Sequence, residues 1–516
     1  MERRKLAGFI RRPSIDDIRR LAEMEYLHPD ARELEELHEL ADAMLGMFDR
    51  LDELPQPELS TRYTERDKGR RPTPEEDPCN AFIRKCLVKG APTGKLAGKT
   101  VGLKDNIRLA GVPMTNGSRL LQHYVPDIDA TVVERLLDAG ATIVGKLNMD
   151  DFGFAGTSET SAYGCIRNPH HLDFSAGGSS GGSGAAVAAG AVDLALAVDQ
   201  GGSGRIPASW CGVVGIKPTH GLVPSFGITY LDHTVDFVCP LARSVAEVAL
   251  ALEVIAGDDP KDPQWTRGTP PVVNYSDALE RSVAGLRIGV VKEGVAPETL
   301  EADVADAFGN AVNTLESMGA QCREVNLPFW PDAQAIWNGF AAHAITAMIE
   351  SEQEGYGRRG FCDIGWQEAF ANARRVGSDG FPPTLKALMV IGKYLRREYR
   401  SLYFSKATNL RFAARQQVDR LLDEVDLLLT PTTPMKAFRL LTEPLSLKAM
   451  AARASSMCQN TYPLNVTGHP AISVPVGFGE HHLPIGLQMI GRYFSEPLLL
   501  GTAHALEQAM RHQVNG

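Results

Sequence analysis

Gly177-Gly178-Ser179-Ser180-Gly181-Gly182-Ser183-Gly184 runs straight into Ala185-Ala186-Val187-Ala188-Ala189. A second such segment, Asp199-Gln200-Gly201-Gly202-Ser203-Gly204-Arg205, follows the apolar run Leu194-Ala195-Leu196-Ala197-Val198. Taken alone, a Gly/Ser-rich run reads as a turn or linker. Here the alanines are strong helix formers, so the first run sits at a helix N-terminus, where free N–H groups can orient side chains or anions. A phosphate-binding loop is the obvious rival, but the run lacks the Gly-Lys-Ser/Thr ending that supplies such a loop with its lysine and magnesium ligand. In the second segment, Leu194 to Val198 reads as a buried strand or apolar turn. The glycines after it allow the backbone to turn tightly enough for successive N–H groups to converge on an oxyanion. Upstream lies Lys104 in Val101-Gly102-Leu103-Lys104-Asp105-Asn106. A serine nucleophile needs a base, and the chain shows no Ser/His/Asp pattern, so a lysine-driven serine hydrolase is the leading reading.

Outward from these segments, short apolar strands alternate with helices. Thr100 to Leu103 reads as a strand, Ala130 to Ala139 as a helix ending at Gly140, and Ala141 to Lys146 as a strand. The rhythm returns with a strand at Leu286 to Val291, a helix from Val304 to Met318 stopped by Gly319, and a strand at Val425 to Leu429. The expected fold class is therefore α/β, a mixed β-sheet core surrounded by helices. Residues 329–410 read as helix-rich with Gly and Pro interruptions, either a cap over a site or a plain helical insertion. Residues Ile15 to Leu51 carry apolar positions three or four apart and read as an amphipathic helical appendage. Pro55-Gln56-Pro57 and the polar stretch to Pro78 read as a linker. The expected division is 1–77, an N-terminal helical extension and linker, and 78–516, the catalytic domain.

The chain has 516 residues, 44% of them hydrophobic, enough to bury one large core or several ordinary ones. Its formal net charge of −10 argues against a large phosphate-binding surface, and no nucleic-acid partner is expected. Met1 to Arg20 is locally basic but has no apolar core, so it does not read as a signal peptide. No window approaches the uncharged apolar length of a membrane span, and no membrane partner is expected. Eight cysteines without a CxxC pair fit reduced thiols in a cytoplasmic protein. The histidines show no ligand spacing, so no metal is expected.

Beyond these local readings, the span from about Leu96 to Pro224 resembles the amidase signature family, as do Asn465-Val466-Thr467-Gly468-His469-Pro470-Ala471 and Leu483 to Gln488. Gly145-Lys146-Leu147-Asn148-Met149-Asp150-Asp151-Phe152 is similar to the family's GKTNMDEF, and Gly215-Ile216-Lys217-Pro218-Thr219 to its GLKPT. Carried over residue by residue, the resemblance implies Ser203 as nucleophile, Ser179 as bridging serine after a cis peptide, and Lys104 as base. It implies amide hydrolysis through an acyl-enzyme with no cofactor. The backbone N–H groups of Gln200, Gly201, Gly202 and Ser203 would hold the oxyanion. Lys104 must be neutral for part of the time. Burial behind Val101-Gly102-Leu103 would bring its pKa toward roughly 7 to 8. Arg205 and Asp199 are expected to order the loop. Phe152, Phe154, Ile206, Trp210 and Phe237 are candidates for an apolar substrate pocket, although each alone reads more readily as core.

The chain departs from the family pattern at Gly204, where a β-branched residue is usual after the nucleophile, and at Cys239, where a glycine is usual before the proline. Within the family the likeness is to broad-range bacterial amidases of the nitrile-degradation type. The expected partners are a small-molecule amide, anilide, carbamate or ester and a second copy in a homodimer. The alternatives are an aryl acylamidase or a urethane or ester hydrolase, and a tRNA-dependent amidotransferase A-type subunit. Gln200 and Ile206 weigh against the last, because those proteins usually carry Asp-Thr before the glycines and Gln after the arginine.

Overall fold

The computed structural model of the chain describes residues 10–264, 272–296, 298, 300–357, 359–443 and 445–515. Arg3, Arg4 and Lys5 of the basic N-terminal stretch lie outside the described residues. The chain forms two compact units, Met1–Ser60 and Thr61–Gly516.

In the smaller unit, the region read as a helical appendage from Ile15 to Leu51 contains two helices, Ile15–Met24 and Ala31–Glu53. Pro29 cannot continue a helix, and Asp30 starts the second by accepting a 2.9 Å hydrogen bond from Glu33 N–H. Ser14 and Asp17 form a reciprocal capping box on the first. Arg12 bridges to Asp42 and Asp49 of the second helix.

Among its described residues the larger unit contains fourteen strands: β1 Arg66–Arg70, β2 Phe82–Lys89, β3 Thr100–Lys104, β4 Thr142–Leu147, β5 Arg167–Asn168, β6 His171–Ser175, β7 Leu194–Asp199, β8 Val214–Lys217, β9 Phe237–Ala242, β10 Arg287–Val291, β11 Gln321–Val325, β12 Leu427–Pro431, β13 Ala471–Phe478 and β14 Pro484–Ile490. Twelve of them make one mixed sheet in the order β1-β2-β4-β3-β7-β9-β8-β13-β14-β12-β10-β11, and β5 pairs with β6 apart from it. The mixed α/β architecture expected from the alternating pattern is the one found. The strand β3 lies between β4 and β7 and is parallel to both, and β9 returns antiparallel to β7. Every residue of β7 is buried, as a strand covered on both faces requires. Among the described residues, no helix is long and apolar enough to cross a membrane.

One difference from the sequence reading has a local cause. Residues 61–77, read as linker, include edge strand β1, whose sequence Arg-Asp-Lys-Gly-Arg carries no apolar alternation. It is antiparallel to β2, and Arg66 makes a two-pronged ion pair with Asp129 at 2.7 and 2.6 Å, both side chains being buried. Within 329–410 lie the helices Ala333–Glu350, Ile364–Gly377 and Pro383–Tyr399. Arg108, just beyond β3, is tied to Asp363 at 2.9 Å and to Glu354 at 3.4 Å, which fixes this helical region to the strand that carries Lys104.

Removing one partner of a buried ion pair leaves an uncompensated charge, so Arg66→Ala is expected to lower unfolding stability by about 3 kcal/mol. Arg62→Ala, which removes the more exposed pair with Asp138, should cost less than about 1 kcal/mol. Urea unfolding checks this, and equal losses would show that burial of the Arg66 pair contributes nothing.

Candidate functional site

The C-terminal ends of β3 and β7 bring the two glycine-rich segments and Lys104 together. Lys104 is the last residue of β3, and its Nζ lies 2.8 Å from Ser179 Oγ and donates to Val198 O at 3.1 Å. Lys104 and Ser179 are fully buried, whereas Ser203 lines a cleft. The Gly178–Ser179 peptide is cis. The neighbouring Ser180 Oγ instead donates to Val198 O at 3.1 Å and so faces the sheet. Desolvation pushes the Lys104 ammonium down to about 7, against the opposing charges of Asp150, Asp199 and Asp236. A lysine in that state is neutral for a substantial fraction of time at neutral pH.

The turn carrying Ser203 is held by Asp199 and Arg205, both wholly buried. Arg205 Nε and Nη2 each donate to the Asp199 carboxylate at 3.0 Å, Nη1 donates to Gln488 Oε1 at 2.8 Å, and Nη2 donates to Asn465 Oδ1 at 2.6 Å. Burial pushes the Asp199 carboxyl up. The Arg205 charge and the hydrogen bonds from Arg205 and Asn465 outweigh it and hold the group well below the usual carboxylate range. Asp199 also accepts the N–H of Gly202 at 2.8 Å and of Gly204 at 3.1 Å. Gly202 is therefore removed from the expected set of oxyanion donors, because its N–H points at a carboxylate. Gln200, Gly201 and Ser203 remain candidates. Gly202 has φ +131°, and a Cβ there would lie 2.2 Å from Thr461 Oγ1, so only glycine fits.

The expected pocket residues separate. Phe154 lines the cleft. Phe152 does not, since its ring packs edge-on against Phe370 and Phe381. Trp210 is buried with Nε1 donating to Thr433 Oγ1 at 3.1 Å. Ile206 lies under Gly202, and Phe237 carries the Lys217 ammonium 3.8 Å above its ring. These four are near Ser203 in sequence, but their side chains face the interior. The cleft walls come instead from Trp337 and Asn338, from Thr384, Leu388 and Ile391, and from Leu447 to Tyr462. Trp337 to Ile391 lie within 329–410, the region read as a cap over a site or a plain helical insertion, whereas no sequence signal singles out Leu447 to Tyr462. Among the described residues, no group of three His, Cys, Asp or Glu side chains is placed to hold a metal ion.

Gly204 and Cys239 prove to be one feature. A Cβ built on Gly204 would lie 2.9 Å from Cys239 Cβ and 3.2 Å from its Sγ. The thiol thus fills the space that a side chain after Ser203 would need. Gly204 has φ −97° and ψ −47°, a conformation that any residue adopts, so the limit is volume and not backbone. Gly204→Ile is expected to cost about 1–3 kcal/mol by overpacking. Combining it with Cys239→Gly should recover most of that loss, giving a coupling of at least about 1 kcal/mol in a denaturant-unfolding cycle. Additive losses would refute the exchange.

Comparison with known proteins fits this geometry. A profile of the Amidase family matches residues 81–500. The A subunit of the glutamyl-tRNA(Gln) amidotransferase of Haloarcula marismortui is 42% identical over 438 residues, which cover 83% of this chain and 99% of that protein. Among solved structures, the corresponding A subunit of Thermotoga maritima is similar with a TM-score of 0.67 and 34% identity, covering 84% of this chain and 88% of the other. A 6-aminohexanoate cyclic dimer hydrolase complexed with substrate is similar with a TM-score of 0.72 and 28% identity, covering 81% and 86%. The finer likeness to nitrile-degradation amidases gains no support from these relatives. They also correct the expected partners. Proteins named as one subunit of an enzyme, and named for a tRNA, overturn an expectation that admits only small molecules and a homodimer and excludes nucleic acid. Net charge is an average over one whole chain, so the exclusion drawn from it does not stand against these names. Matched over most of its length by the family profile, and sharing 42% identity with a relative, this chain belongs to the amidase family.

Proposed function

We propose that this chain cleaves a carboxylic amide C–N bond through an acyl-enzyme on Ser203, with Ser179 as relay and Lys104 as base. The observation that carries this reading is the buried Lys104 Nζ 2.8 Å from Ser179 Oγ, with its ammonium pushed down to about 7. As Ser203 Oγ bonds to the amide carbon, its proton passes to Ser179, and the Ser179 proton passes to neutral Lys104. The carbonyl oxygen takes up the negative charge, facing the N–H groups of Gln200, Gly201 and Ser203, each donor being worth ~3 kcal/mol in such a site. The proton then returns through Ser179 to the leaving nitrogen, the C–N bond breaks, and the ester remains on Ser203. Water cleaves that ester by the reverse relay.

Two forms of this reaction suit the same residues. The relatives' name supports the amidotransferase form, in which the chain is an A-type subunit that frees an amide nitrogen for transfer. That support is stronger than the support for stand-alone hydrolysis. The hydrolytic form, extending to anilides, urethanes and esters, is favoured by one specific observation: among the described residues, the cleft lining carries no charged side chain. Cys79, Cys86, Cys165, Cys211, Cys239, Cys322 and Cys458 are free thiols, which supports a reducing compartment such as the cytoplasm.

A fluorophosphonate should add once to the purified chain by intact mass and not at all to Ser203→Ala. Labelling of the Lys104→Ala variant should be about a hundredfold slower or more. Since the base acts when deprotonated, the labelling rate should rise with pH through about 7 and level off above it. An adduct on Ser203→Ala, or a rate flat from pH 6 to 8, would overturn the assignment.

A further inference from the structure

Asp150, shortly beyond β4, is wholly buried and touches both ends of the segment that carries Ser179. Its main chain reaches the relay serine directly, since Asp150 N–H donates to Ser179 O at 3.1 Å. Its carboxylate reaches the other end. Oδ2 accepts the Ser158 N–H at 3.0 Å, and Ser158 Oγ donates to Gly177 O at 2.6 Å. Oδ1 accepts the Thr160 N–H at 3.2 Å and the Thr160 hydroxyl at 2.7 Å. Between these anchors, a Cβ on Gly178 would lie 2.2 Å from Asp150 Oδ2, so the carboxylate packs against the peptide that leads into Ser179.

A carboxylate taken out of water ordinarily needs a cation. Two buried neighbours have one: Asp105 has Lys146 Nζ at 3.6 Å, and Asp199 has Arg205 Nε at 3.0 Å. Asp150 forms no such pair among the described residues, and its hydrogen bonds come from neutral groups. Besides desolvation, the groups that act on Lys104 are Asp150, Asp199, Asp236 and Cys239. Arg205 offsets the charge of Asp199, while burial pushes the Asp236 carboxyl and the Cys239 thiol well up, toward their uncharged forms. Asp150 is the carboxylate of this group whose charge no neighbour cancels. Building on the acyl-enzyme reading above, we propose that Asp150 is a positioning residue of the relay, clamping both ends of the Gly177–Ser179 segment so that Ser179 Oγ faces Lys104, and balancing with its charge the ammonium that forms there. When Ser203 Oγ bonds to the acyl carbon, its proton passes to Ser179 and the Ser179 proton to Lys104, so a cation appears on a side chain with no exposed surface. A carboxylate held across Ser179 stabilises that cation, and by the same interaction it favours protonated Lys104 before the reaction. Loss of the charge therefore makes Lys104 a weaker base and lets it shed its own proton at lower pH.

Fluorophosphonate labelling of Ser203 in the full chain, followed from pH 5 to 9, separates these effects. For the wild type the rate should rise through about pH 7 to a plateau. Asp150→Asn keeps the size of the side chain and removes its charge. It should lower the plateau at least about tenfold and move the inflection at least about half a pH unit toward acid. Thr160→Val removes one hydrogen bond to Asp150 but keeps the charge, and should leave the inflection where the wild type has it. Should Asp150→Asn not unfold cooperatively in urea, Asp150→Ser takes its place with the same expectation. A lowered plateau with an unmoved inflection would show a merely structural role and overturn the proposal, as would an unchanged plateau or an equal acid shift in Thr160→Val. Failure of wild-type Ser203 to label at all would instead remove the acyl-enzyme reading beneath the proposal, and the proposal with it.

Discussion

The site depends on one buried ion pair, Asp199 with Arg205. Taking two such ions out of water costs several kcal/mol each unless every lone pair and proton finds a partner. Here Asp199 accepts from the Gly202 and Gly204 N–H groups, from the guanidinium and from Asn465, while the remaining guanidinium edge reaches Gln488. Asn465 and Gln488 lie more than 250 residues away in sequence, on the helix Tyr462–Thr467 and on β14, so the turn carrying Ser203 takes its shape only when both halves of the sheet have joined. The same geometry sets a limit on the site. A carboxylate that occupies the Gly202 N–H fixes the loop at the expense of one oxyanion donor.

Lys104 shows the same dependence from the other side of the cleft. Its depressed basicity arises from desolvation, and desolvation is a property of the sheet: β3 is flanked by β4 and β7, with Val101 and Leu103 fully buried. Three carboxylates, Asp150, Asp199 and Asp236, oppose the shift, yet burial prevails. Asp199 therefore has two opposed influences. It orders the turn carrying Ser203 through short contacts, and at longer range it favours the protonated form of Lys104.

How much of this can be read from the sequence follows from where each determinant sits along the chain. The segments around Lys104, Ser179 and Ser203 are legible because their residue types are local: glycines for close approach, alanines for the helix that follows, apolar residues for β3 and β7. The break at Pro29 is legible in principle, but the three- and four-residue periodicity continues across it and hides it. Edge strand β1 has no apolar alternation, so it reads as linker; its place comes from Arg66 and Asp129, 63 positions apart. The cleft walls are the least legible. Phe152, Ile206, Trp210 and Phe237 are near the serines in sequence but are claimed by the core, whereas Trp337, Leu388 and Leu447 reach the cleft from helices whose apolar positions look like any other helix face.

This division bears on how far a relative's name carries over. Family membership rests on the whole span of residues 81–500, and the turn carrying Ser203, Ser179 and the buried Lys104 lie within it. The cleft beside it is walled by other residues, on the helices that carry Trp337, Leu388 and Leu447. A name taken from a relative describes both layers at once, although only the first follows from the chemistry at Ser203. Among the described residues, the cleft lining of this chain carries no charged side chain. Electrostatics sets the consequence: a substrate ion needs a counter-ion or water in a buried cleft, so the charge of the lining is a stronger guide to the acyl group than the shared catalytic turn.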